Sequence, residues 1–374
     1  MTPALHCDVA IVGGGLVGAA LAHGLRALGP RLVVVDEGDR ALRAARGNFG
    51  LIWVQGKGLG LAAYGRWTQR AAREWGKLAA DLEQETGIDV ALRQAGGLHL
   101  CLARQELDAR AAHLHALMAQ PGFEQYDIDV LDHAAVARRV PQIGPAVVGA
   151  TYCAQDGDCN PLRLLRALHA AAARAGCRYI PDARVDIIEP AGGRFTLRTR
   201  AGAVQAERVV LAAGLGNARL APMIGLAVPV RPNKGHVLVL ERLPAFLPLA
   251  VETVRQTDEG TVLVGDSQQE TGFDESLDPA VLAAMAARAV AAFPLLGNAR
   301  VIRAWAALRV MSPDGFPIYA ESPQHPGSFV VTCHSGVTLA AQHAHVLAPA
   351  LGAGHLPTEC RIFSHERFDV RAAA

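Results

Sequence analysis

Four short apolar runs along the chain predict buried strands. They lie at residues 9–12, 32–35, 208–214 and 327–333. Runs of this length without alternating polar residues are typical of strands that are covered on both faces, as in a parallel sheet.

Apolar residues recur at helical spacing in several other segments. The helices that this predicts cover residues 19–28, 62–86, 104–119, 160–175, 278–292 and 337–351, with further strands at 97–102, 228–265 and 301–310. Gly29-Pro30 is expected to end the first helix, and Pro161 suits the first turn of the fourth. The mixture of strands and helices assigns the chain to the α/β (α+β) class.

The first strand–helix–strand unit carries a glycine fingerprint. Gly13-x-Gly15-x-x-Gly18 follows the first run, and Asp36 ends the second. The three glycines allow a tight turn, close approach of the backbone to a pyrophosphate, and close packing of helix on strand. The helix N-terminus then faces the negative charge, and Asp36 can accept hydrogen bonds from a ribose diol. The unit predicts a dinucleotide-binding site, for either FAD or NAD.

Composition narrows the classes of function. The chain has 374 residues, of which 51% are hydrophobic and 19% charged, and its formal charge is +1. These values exclude a disordered chain and argue against a dedicated nucleic-acid-binding protein. No run approaches 18 apolar residues, so we expect no transmembrane helix. Seven scattered cysteines without a Cys-x-x-Cys pair indicate free thiols in a reducing cytoplasm, and no residue pattern predicts a metal site.

Two later segments favour FAD over NAD. Ala212-Ala213-Gly214 ends a strand late in the chain, where two-part flavoproteins return to the dinucleotide fold. Residues 334–339 follow the last strand and open a helix. Such a helix N-terminus can face the N1/O2 edge of a flavin and stabilise its reduced anion. An ordinary junction between a loop and a helix is the alternative for this segment.

These features, together with residues 305–317, resemble the D-amino-acid oxidase superfamily of flavoproteins, which includes glycine oxidase and sarcosine oxidase. The segment is similar to the family pattern Trp-x-Gly-Leu-Arg-Pro-x-Thr-x-Asp-Gly-x-Pro, with Ala307, Val310 and Ser312 as departures. The resemblance implies that Arg309 holds a substrate carboxylate, a role that suits a bidentate guanidinium. A structural arginine paired to an acid is the alternative.

The glycine-rich segment 43–58 carries a second resemblance. It is similar to the B subunits of octopine and nopaline oxidases, and more loosely to the flavoprotein subunits of D-hydroxyproline dehydrogenase and hydrogen cyanide synthase. In the wider family this loop passes the flavin ring, which implies that Trp53, Gln55 and Lys57 reach the substrate. Surface positions are the alternative for these three side chains.

The fingerprint and the resemblance together predict a set of FAD contacts, with Val185 at the adenine. These contacts are Gly13, Gly15, Leu16, Val17, Gly18, Asp36, Glu37, Arg46, Gly47, Asn48, Gly50, Leu51, Val185, Ala213, Gly214, Gly336, Val337, Thr338 and Leu339.

The resemblance also implies that FAD is bound without a covalent link. No cysteine occurs around Ala307, where some sarcosine oxidases attach the flavin. Heterotetrameric relatives carry an FMN where two subunits meet, and in sarcosine oxidases of this kind a histidine tethers it. Cys159 occupies that place here, which excludes a histidine link but leaves non-covalent FMN at a subunit interface open.

The implied activity is oxidation of the C–N bond of a carboxylate-bearing secondary amine of the opine type, by hydride transfer to flavin N5. Electrons would pass to a second subunit that carries another nucleotide cofactor and an iron–sulphur centre. The alternatives are a D-hydroxyproline dehydrogenase subunit, a free-standing glycine or D-amino-acid oxidase that uses oxygen, a non-catalytic flavin relay, and an NAD-dependent dehydrogenase. His334 lies near the flavin ring by family position and is a candidate catalytic residue. No residue pattern identifies a general base.

The order of the segments implies a discontinuous Rossmann-like FAD-binding domain with an inserted substrate domain, as in glycine oxidase and sarcosine oxidase. We predict the FAD-binding domain at residues 1–85, 150–225 and 312–374. The substrate domain, built on a mostly antiparallel sheet, is predicted at residues 86–149 and 226–311. The active site is expected where the two domains meet.

Overall fold

The computed structural model describes residues 5–38 and 43–368. Its strands in chain order are β1 Leu5–Val12, β2 Leu32–Val35, β3 Leu51–Ile52, β4 Gly97–Cys101, β5 Ile128–Asp132, β6 Gly149–Cys153, β7 Gly157–Asp158, β8 Arg178–Ile180, β9 Val185–Ala191, β10 Arg194–Thr199, β11 Gly202–Leu211, β12 Arg231–Arg242, β13 Ala250–Val251, β14 Val254–Gln256, β15 Thr261–Val264, β16 Val301–Met311, β17 Ile318–Glu321 and β18 Ser328–Thr332. The α-helices are α1 Leu16–Gly24, α2 Ala62–Thr86, α3 Arg104–Ala119, α4 His133–Arg139, α5 Pro161–Arg174, α6 Asn217–Leu220, α7 Pro279–Ala292, α8 Ala340–Gln342 and α9 Ala348–Gly352.

The largest sheet contains the four runs that the sequence predicts as buried strands. Its main path is β17-β18-β11-β1-β2-β8, and β10 pairs with both β11 and β9. The pairs β8–β2, β2–β1, β1–β11 and β11–β18 are parallel, whereas the flanking pairs are antiparallel. All four residues of β2 are buried, as expected for a strand inside a parallel sheet.

Different elements pack on the two faces of this sheet. Along β1, Val9 and Ile11 pack in one core with α1 and α9, while Ala10 and Val12 pack in another with the hairpin of β9 and β10. Successive side chains of a strand point to opposite faces, so a continuous apolar run supplies both cores.

Two four-stranded sheets form the remaining architecture, with the orders β14-β15-β12-β16 and β13-β4-β6-β5. Their pairs are antiparallel except for β13–β4. Both sheets contribute to one core that includes Leu98, Leu238 and Phe293. The predicted mixed α/β fold with an antiparallel second part is confirmed, and the division of the chain into two domains at stated residues stays a prediction.

Two helices begin or end differently from the prediction. α1 ends at Gly24 rather than at residue 28, because a 3-10 turn, Arg26–Arg31, follows it with Gly29 at φ 57°. The last helix begins at Ala340 rather than at residue 337, and a π-helical turn, His343–Leu347, joins α8 to α9. Residues 336–339 form turns instead, and Trp75 Nε1 donates to the carbonyl oxygens of Val337 and Thr338 there.

All seven cysteines are free thiols. In residues 5–38 and 43–368, no helix is long and apolar enough to cross a membrane. The same part of the chain holds no group of histidine, cysteine and acidic side chains arranged to bind a metal ion.

Candidate active site

A cavity of about 500 Å³, here called the main cavity, opens at the carboxyl ends of β1, β2, β11 and β18. Open α/β sheets bind their ligands at this edge. The predicted FAD contacts that line the main cavity are Gly13, Gly15, Leu16, Val17, Asp36, Glu37, Asn48, Val185, Ala213, Gly214 and Gly336.

The glycine turn at the start of α1 has the geometry of a pyrophosphate site. Gly13 has φ 104°, and a Cβ there would lie 2.5 Å from the carbonyl oxygen of Ala212. A Cβ at Gly18 would lie 1.9 Å from the carbonyl oxygen of Gly13. α1 begins at Leu16 with no side-chain cap and no acidic residue in its first turn. The N–H groups of this turn are therefore available to an anionic ligand.

Asp36 links the glycine turn to the end of β2. Its Oδ2 accepts a hydrogen bond from the backbone N–H of Gly14 at 2.7 Å, and its Oδ1 accepts one from Gly38 at 2.9 Å. The carboxylate also lines the main cavity, where it can accept further hydrogen bonds from a ribose. Glu37 lines the same cavity and forms an ion pair with Arg43.

The segment after Arg43 lies against β16 and α5. Asn48 Oδ1 accepts from the backbone N–H of Gly50 at 2.7 Å, and the carbonyl oxygen of Gly47 accepts from Trp305 Nε1 at 3.3 Å. Arg46 lines a neighbouring pocket beside Gly14 and Gly15. The other predicted contacts do not belong to the lining of the main cavity; they are Gly18, Gly47, Gly50, Leu51, Val337, Thr338 and Leu339.

The residues of the main cavity fit FAD. Besides the glycine cradle, Thr332 lines the cavity, is 3% exposed, and has an Oγ1 without a hydrogen-bond partner among the described residues. A buried hydroxyl left unpaired beside a cavity is satisfied by a polar ligand. Leu308, Val310 and Cys333 provide the apolar part of the wall that a flavin ring needs.

Arg309 is held rigidly near this wall. In the pairing of β12 with β16 it lies opposite Asn233, and its Nη1 donates to Asn233 Oδ1 at 3.1 Å and to the carbonyl oxygen of Ser267 at 2.7 Å. A Cβ at Gly235 would lie 2.4 Å from Nη1, so a larger residue there would displace the guanidinium from this position. Burial lowers the pKa of Arg309, opposed by the charge of Asp266, yet a guanidinium stays protonated in proteins.

His334 lines the main cavity as a neutral imidazole. Burial, with the charges of Lys57 and Arg309, lowers the pKa of His334 to about 3. At neutral pH the ring carries one N–H and one acceptor nitrogen, so it can orient a neighbouring group but adds no charge.

The three predicted substrate residues of the loop differ in their surroundings. Lys57 Nζ donates to Ser335 Oγ at 3.4 Å, next to His334. Gln55 is 2% exposed, and its amide contacts Asp156, Thr151 and Gly97. These bonds occupy the Gln55 amide within the protein.

Trp53 is also buried, with 7% of its surface exposed. Its backbone N–H donates to Thr338 Oγ1 at 3.1 Å, and its ring would lie 2.7 Å from a Cβ at Gly97. The structure thus brings Lys57, His334 and Arg309 together and places Trp53 and Gln55 in the packing behind them.

Four charged residues that sequence reasoning missed lie around the same place. Glu252 forms an ion pair with His99, and the charges of Arg110 and Lys57 also act on it. Asp266, at φ 77° just after β15, interacts with both Glu252 and Arg309. Together with Lys57, Arg309 and the neutral ring of His334, they form what is here called the charged cluster: Lys57, His99, Arg110, Glu252, Asp266, Arg309 and His334. No motif marks the four, since they come from separate elements.

The chain matches the family model described as FAD dependent oxidoreductase (DAO) over residues 8–350, and it therefore belongs to this family. It is 44% identical over 366 residues to the B subunit of opine oxidase from Agrobacterium tumefaciens (strain Ach5), covering 98% of this chain and 99% of that protein. The corresponding opine oxidase protein of Rhizobium meliloti is 43% identical with the same coverage. The crystal structure of glycine oxidase from Geobacillus kaustophilus has a TM-score of 0.87 at 26% identity, covering 96% of this chain and 98% of that one.

The protein is an FAD-dependent oxidoreductase, and the family resemblance seen in the sequence is confirmed. FAD is the cofactor that the family, the fold and the main cavity agree on. The individual contacts with FAD and substrate stay predictions.

Proposed function

We propose that the protein oxidises the C–N bond of a carboxylate-bearing secondary amine of the opine type. The similarity to two opine oxidase proteins supports this class of substrate. The observation that carries the proposal is the guanidinium of Arg309, anchored through Nη1 beside the cavity wall. Its remaining nitrogen atoms, Nε and Nη2, form the edge that binds a carboxylate in bidentate fashion.

When bound, FAD supplies the two-electron acceptor of the reaction. Arg309 binds the substrate carboxylate and thereby fixes the position of the adjacent carbon, which is the main contribution that a protein makes to such a reaction. Neutral His334 forms part of the pocket wall without adding a positive charge. Leu308 and Val310 exclude water from the same wall. The backbone N–H groups in the first turn of α1 would hold the pyrophosphate of the cofactor.

We also propose that electrons leave through a second subunit in the cytoplasm, which carries a nucleotide cofactor and an iron–sulphur centre. The relatives are named as subunits, which supports a multi-subunit enzyme. The free thiols of this chain are typical of a reducing compartment, and their spacing does not suit an iron–sulphur cluster. Non-covalent FMN at the subunit interface remains part of this proposal.

A free-standing oxidase is the second candidate, favoured by the similarity of the fold to glycine oxidase. It differs from the first in its electron acceptor. The purified chain alone would then form hydrogen peroxide with substrate in air, whereas a dehydrogenase subunit would turn over only with its partner or an artificial dye.

An anaerobic titration of the purified yellow holoprotein tests the function. Opines, D-hydroxyproline, sarcosine, glycine and D-amino acids are added one at a time, and absorbance of the oxidised flavin is followed. We expect bleaching by an opine at the lowest concentration. Bleaching by D-hydroxyproline or glycine alone would replace the proposal by one of its alternatives. A flavin that dithionite reduces but no amine bleaches would indicate a relay role.

A further inference from the structure

Lys57 is a partly buried lysine that has no ion-pair partner within residues 5–38 and 43–368. Its Nζ donates to Ser335 Oγ at 3.4 Å, and the same hydroxyl forms a hydrogen bond with Tyr64 Oη at 2.9 Å. Both partners are neutral. Burial lowers the pKa of Lys57, and the nearby acids offset this only in part. The Lys57 amino group is therefore desolvated, with no counter-ion among the described residues.

The two acids whose charges act on Lys57 are engaged elsewhere. Glu252 forms an ion pair with His99. Asp156 is fully buried and accepts hydrogen bonds from the backbone N–H and the side-chain Nε2 of Gln55. In an ordinary salt bridge the lysine binds an acid directly, whereas the two acids near Lys57 bind other groups. The partner that Lys57 lacks is therefore an anion.

Lys57 and Arg309 both act electrostatically on one imidazole. His334 lines the main cavity, Lys57 reaches Ser335 next to it in the chain, and the charges of both cations lower the pKa of His334. Arg309 approaches from β16, whereas Lys57 approaches from the loop after β3. Two basic side chains from separate elements thus lie near an imidazole that lines the main cavity, and each can bind a negative group of one substrate.

We propose that Lys57 binds a second carboxylate of the substrate, so that the enzyme selects secondary amines with one carboxylate on each side of the nitrogen. This rests on the proposed function, in which Arg309 holds the first carboxylate. A bound carboxylate removes the cost of an unpaired, desolvated ammonium, which gives the second carboxylate a large share of the selectivity. Glycine, sarcosine and D-hydroxyproline have one carboxylate and leave Lys57 unpaired.

A matched pair of substrates tests the role of Lys57 in the wild-type holoenzyme. N-(1-Carboxyethyl)alanine and N-ethylalanine differ only in the second carboxylate. Anaerobic rapid mixing yields the Kd and the limiting rate of flavin reduction for each. We expect a Kd that is about 10- to 100-fold lower for the dicarboxylate, the range of a charge-assisted hydrogen bond. Equal Kd values would overturn the role of Lys57 and leave the proposed function intact.

Variants then assign the preference to Lys57. In Lys57→Met, the Kd of the dicarboxylate should rise to that of the monocarboxylate, whose own Kd should stay the same. Lys57→Arg should keep part of the preference, and Lys77→Met, which removes an exposed lysine of α2, should keep all of it. The FAD absorbance per chain shows whether each variant folds and binds FAD. If Lys57→Met loses FAD, the comparison of the two amines in the wild type and in Lys57→Arg tests the inference instead.

Two other outcomes contradict the inference. A fall in limiting rate for both amines, with the Kd ratio preserved, would show that Lys57 acts in proton transfer or in positioning FAD instead. Absence of bleaching by either amine would overturn the proposed function and the role of Lys57 with it.

Discussion

The main cavity and the charged cluster are built in opposite ways. Short segments at the ends of β1, β2, β11 and β18 form the main cavity, and much of its cradle is backbone. The charged cluster consists of side chains from a loop, two sheets, α3 and the turn after β18. A consecutive motif therefore suffices to predict the cofactor cradle, whereas the charged cluster, which we propose binds the substrate, consists of residues that only the folded sheets bring together.

The two regions also differ in charge. The main cavity offers the positive end of α1, and the charged side chains of its lining balance, with Asp36, Glu37 and Glu275 against Arg43, Arg184 and Arg219. In the charged cluster, burial and mutual interaction shift several pKa values: the pKa of His334 falls to about 3, and that of Asp266 rises to about 6. Shifts of this kind are common where charged substrates are recognised.

The largest effect is expected on the cofactor side, from Gly18→Ala. The new Cβ would lie 1.9 Å from the carbonyl oxygen of Gly13, and neither helix nor turn can give way easily. We expect a loss of about 3 kcal/mol or more in the free energy of unfolding, because backbone must shift. Urea unfolding and FAD absorbance per chain measure this. A Gly18→Ala holoprotein of normal stability would contradict the role of the glycine turn.

Arg309→Gln should affect the substrate side alone. We expect kcat/KM for a carboxylate-bearing amine to fall about 30- to 150-fold, corresponding to about 2–3 kcal/mol for a lost charge-assisted bond, with an unchanged flavin spectrum. Arg300→Gln is the matched control, since its side chain is 81% exposed beside the start of β16. Equal effects of the two substitutions would refute the carboxylate clamp.

Substrate binding at the charged cluster should depend on pH because Asp266, rather than His334, changes its protonation state. The charged groups that act on Asp266 are Glu252, Arg309, His99 and Arg288. Burial and the charge of Glu252 raise the pKa of Asp266 to about 6, so its carboxylate becomes neutral as pH falls below 6. Its repulsion of a carboxylate at Arg309 then disappears, and the substrate Kd should fall about 2- to 5-fold between pH 7.5 and 5.

Two variants distinguish the effect of Asp266 on the pH dependence from that of His334. Asp266→Asn should remove this pH dependence and hold the Kd at its low value. His334→Gln should leave the dependence in place, because His334 is already neutral over this range. Loss of the pH dependence in His334→Gln would show that the imidazole is protonated in the enzyme.

Gly76→Ala should change stability and binding least of these substitutions, and it serves as a control for both the main cavity and the charged cluster. Gly76 lies exposed within α2, and a Cβ there would have nothing within 4 Å. Alanine is the better helix former, so we expect a gain of about 0.5–1 kcal/mol in the free energy of unfolding. FAD content and substrate Kd should not change, and a change in either would show that α2 acts on the site.

Much of the cofactor side could be predicted from the sequence because its signals are local. The apolar runs of β1 and β2, the spacing of Gly13, Gly15 and Gly18, and Asp36 at the strand end lie within 28 residues of each other. The start of the last helix was wrong by three residues, because Trp75, far away in the chain, binds the carbonyl oxygens of the turn.

The charged cluster could be predicted only where a family resemblance marked it, as for Arg309 and Lys57. His99 lies in a short strand of ordinary composition. Glu252 and Asp266 stand just outside β14 and β15, and the antiparallel pairing of these strands brings them to one end of the ladder. Gln55 has the composition of a ligand-binding residue, yet a buried acid, Asp156, occupies its amide. Contacts of this kind depend on the register of paired strands and on packing in the folded chain, and the spacing of residues along the sequence does not reveal them.

A single anaerobic turnover tests the central claim, that the protein oxidises an amine held by its carboxylate at Arg309. Holoprotein is mixed with one equivalent of N-(1-carboxyethyl)alanine, and flavin absorbance is compared with the 2-oxo acid released. We expect one 2-oxo acid and one amino acid per FAD reduced, with flavin reduction about 30- to 150-fold slower in Arg309→Gln at the same concentration. Equal bleaching of wild type and Arg309→Gln, or bleaching without a 2-oxo acid, would contradict it.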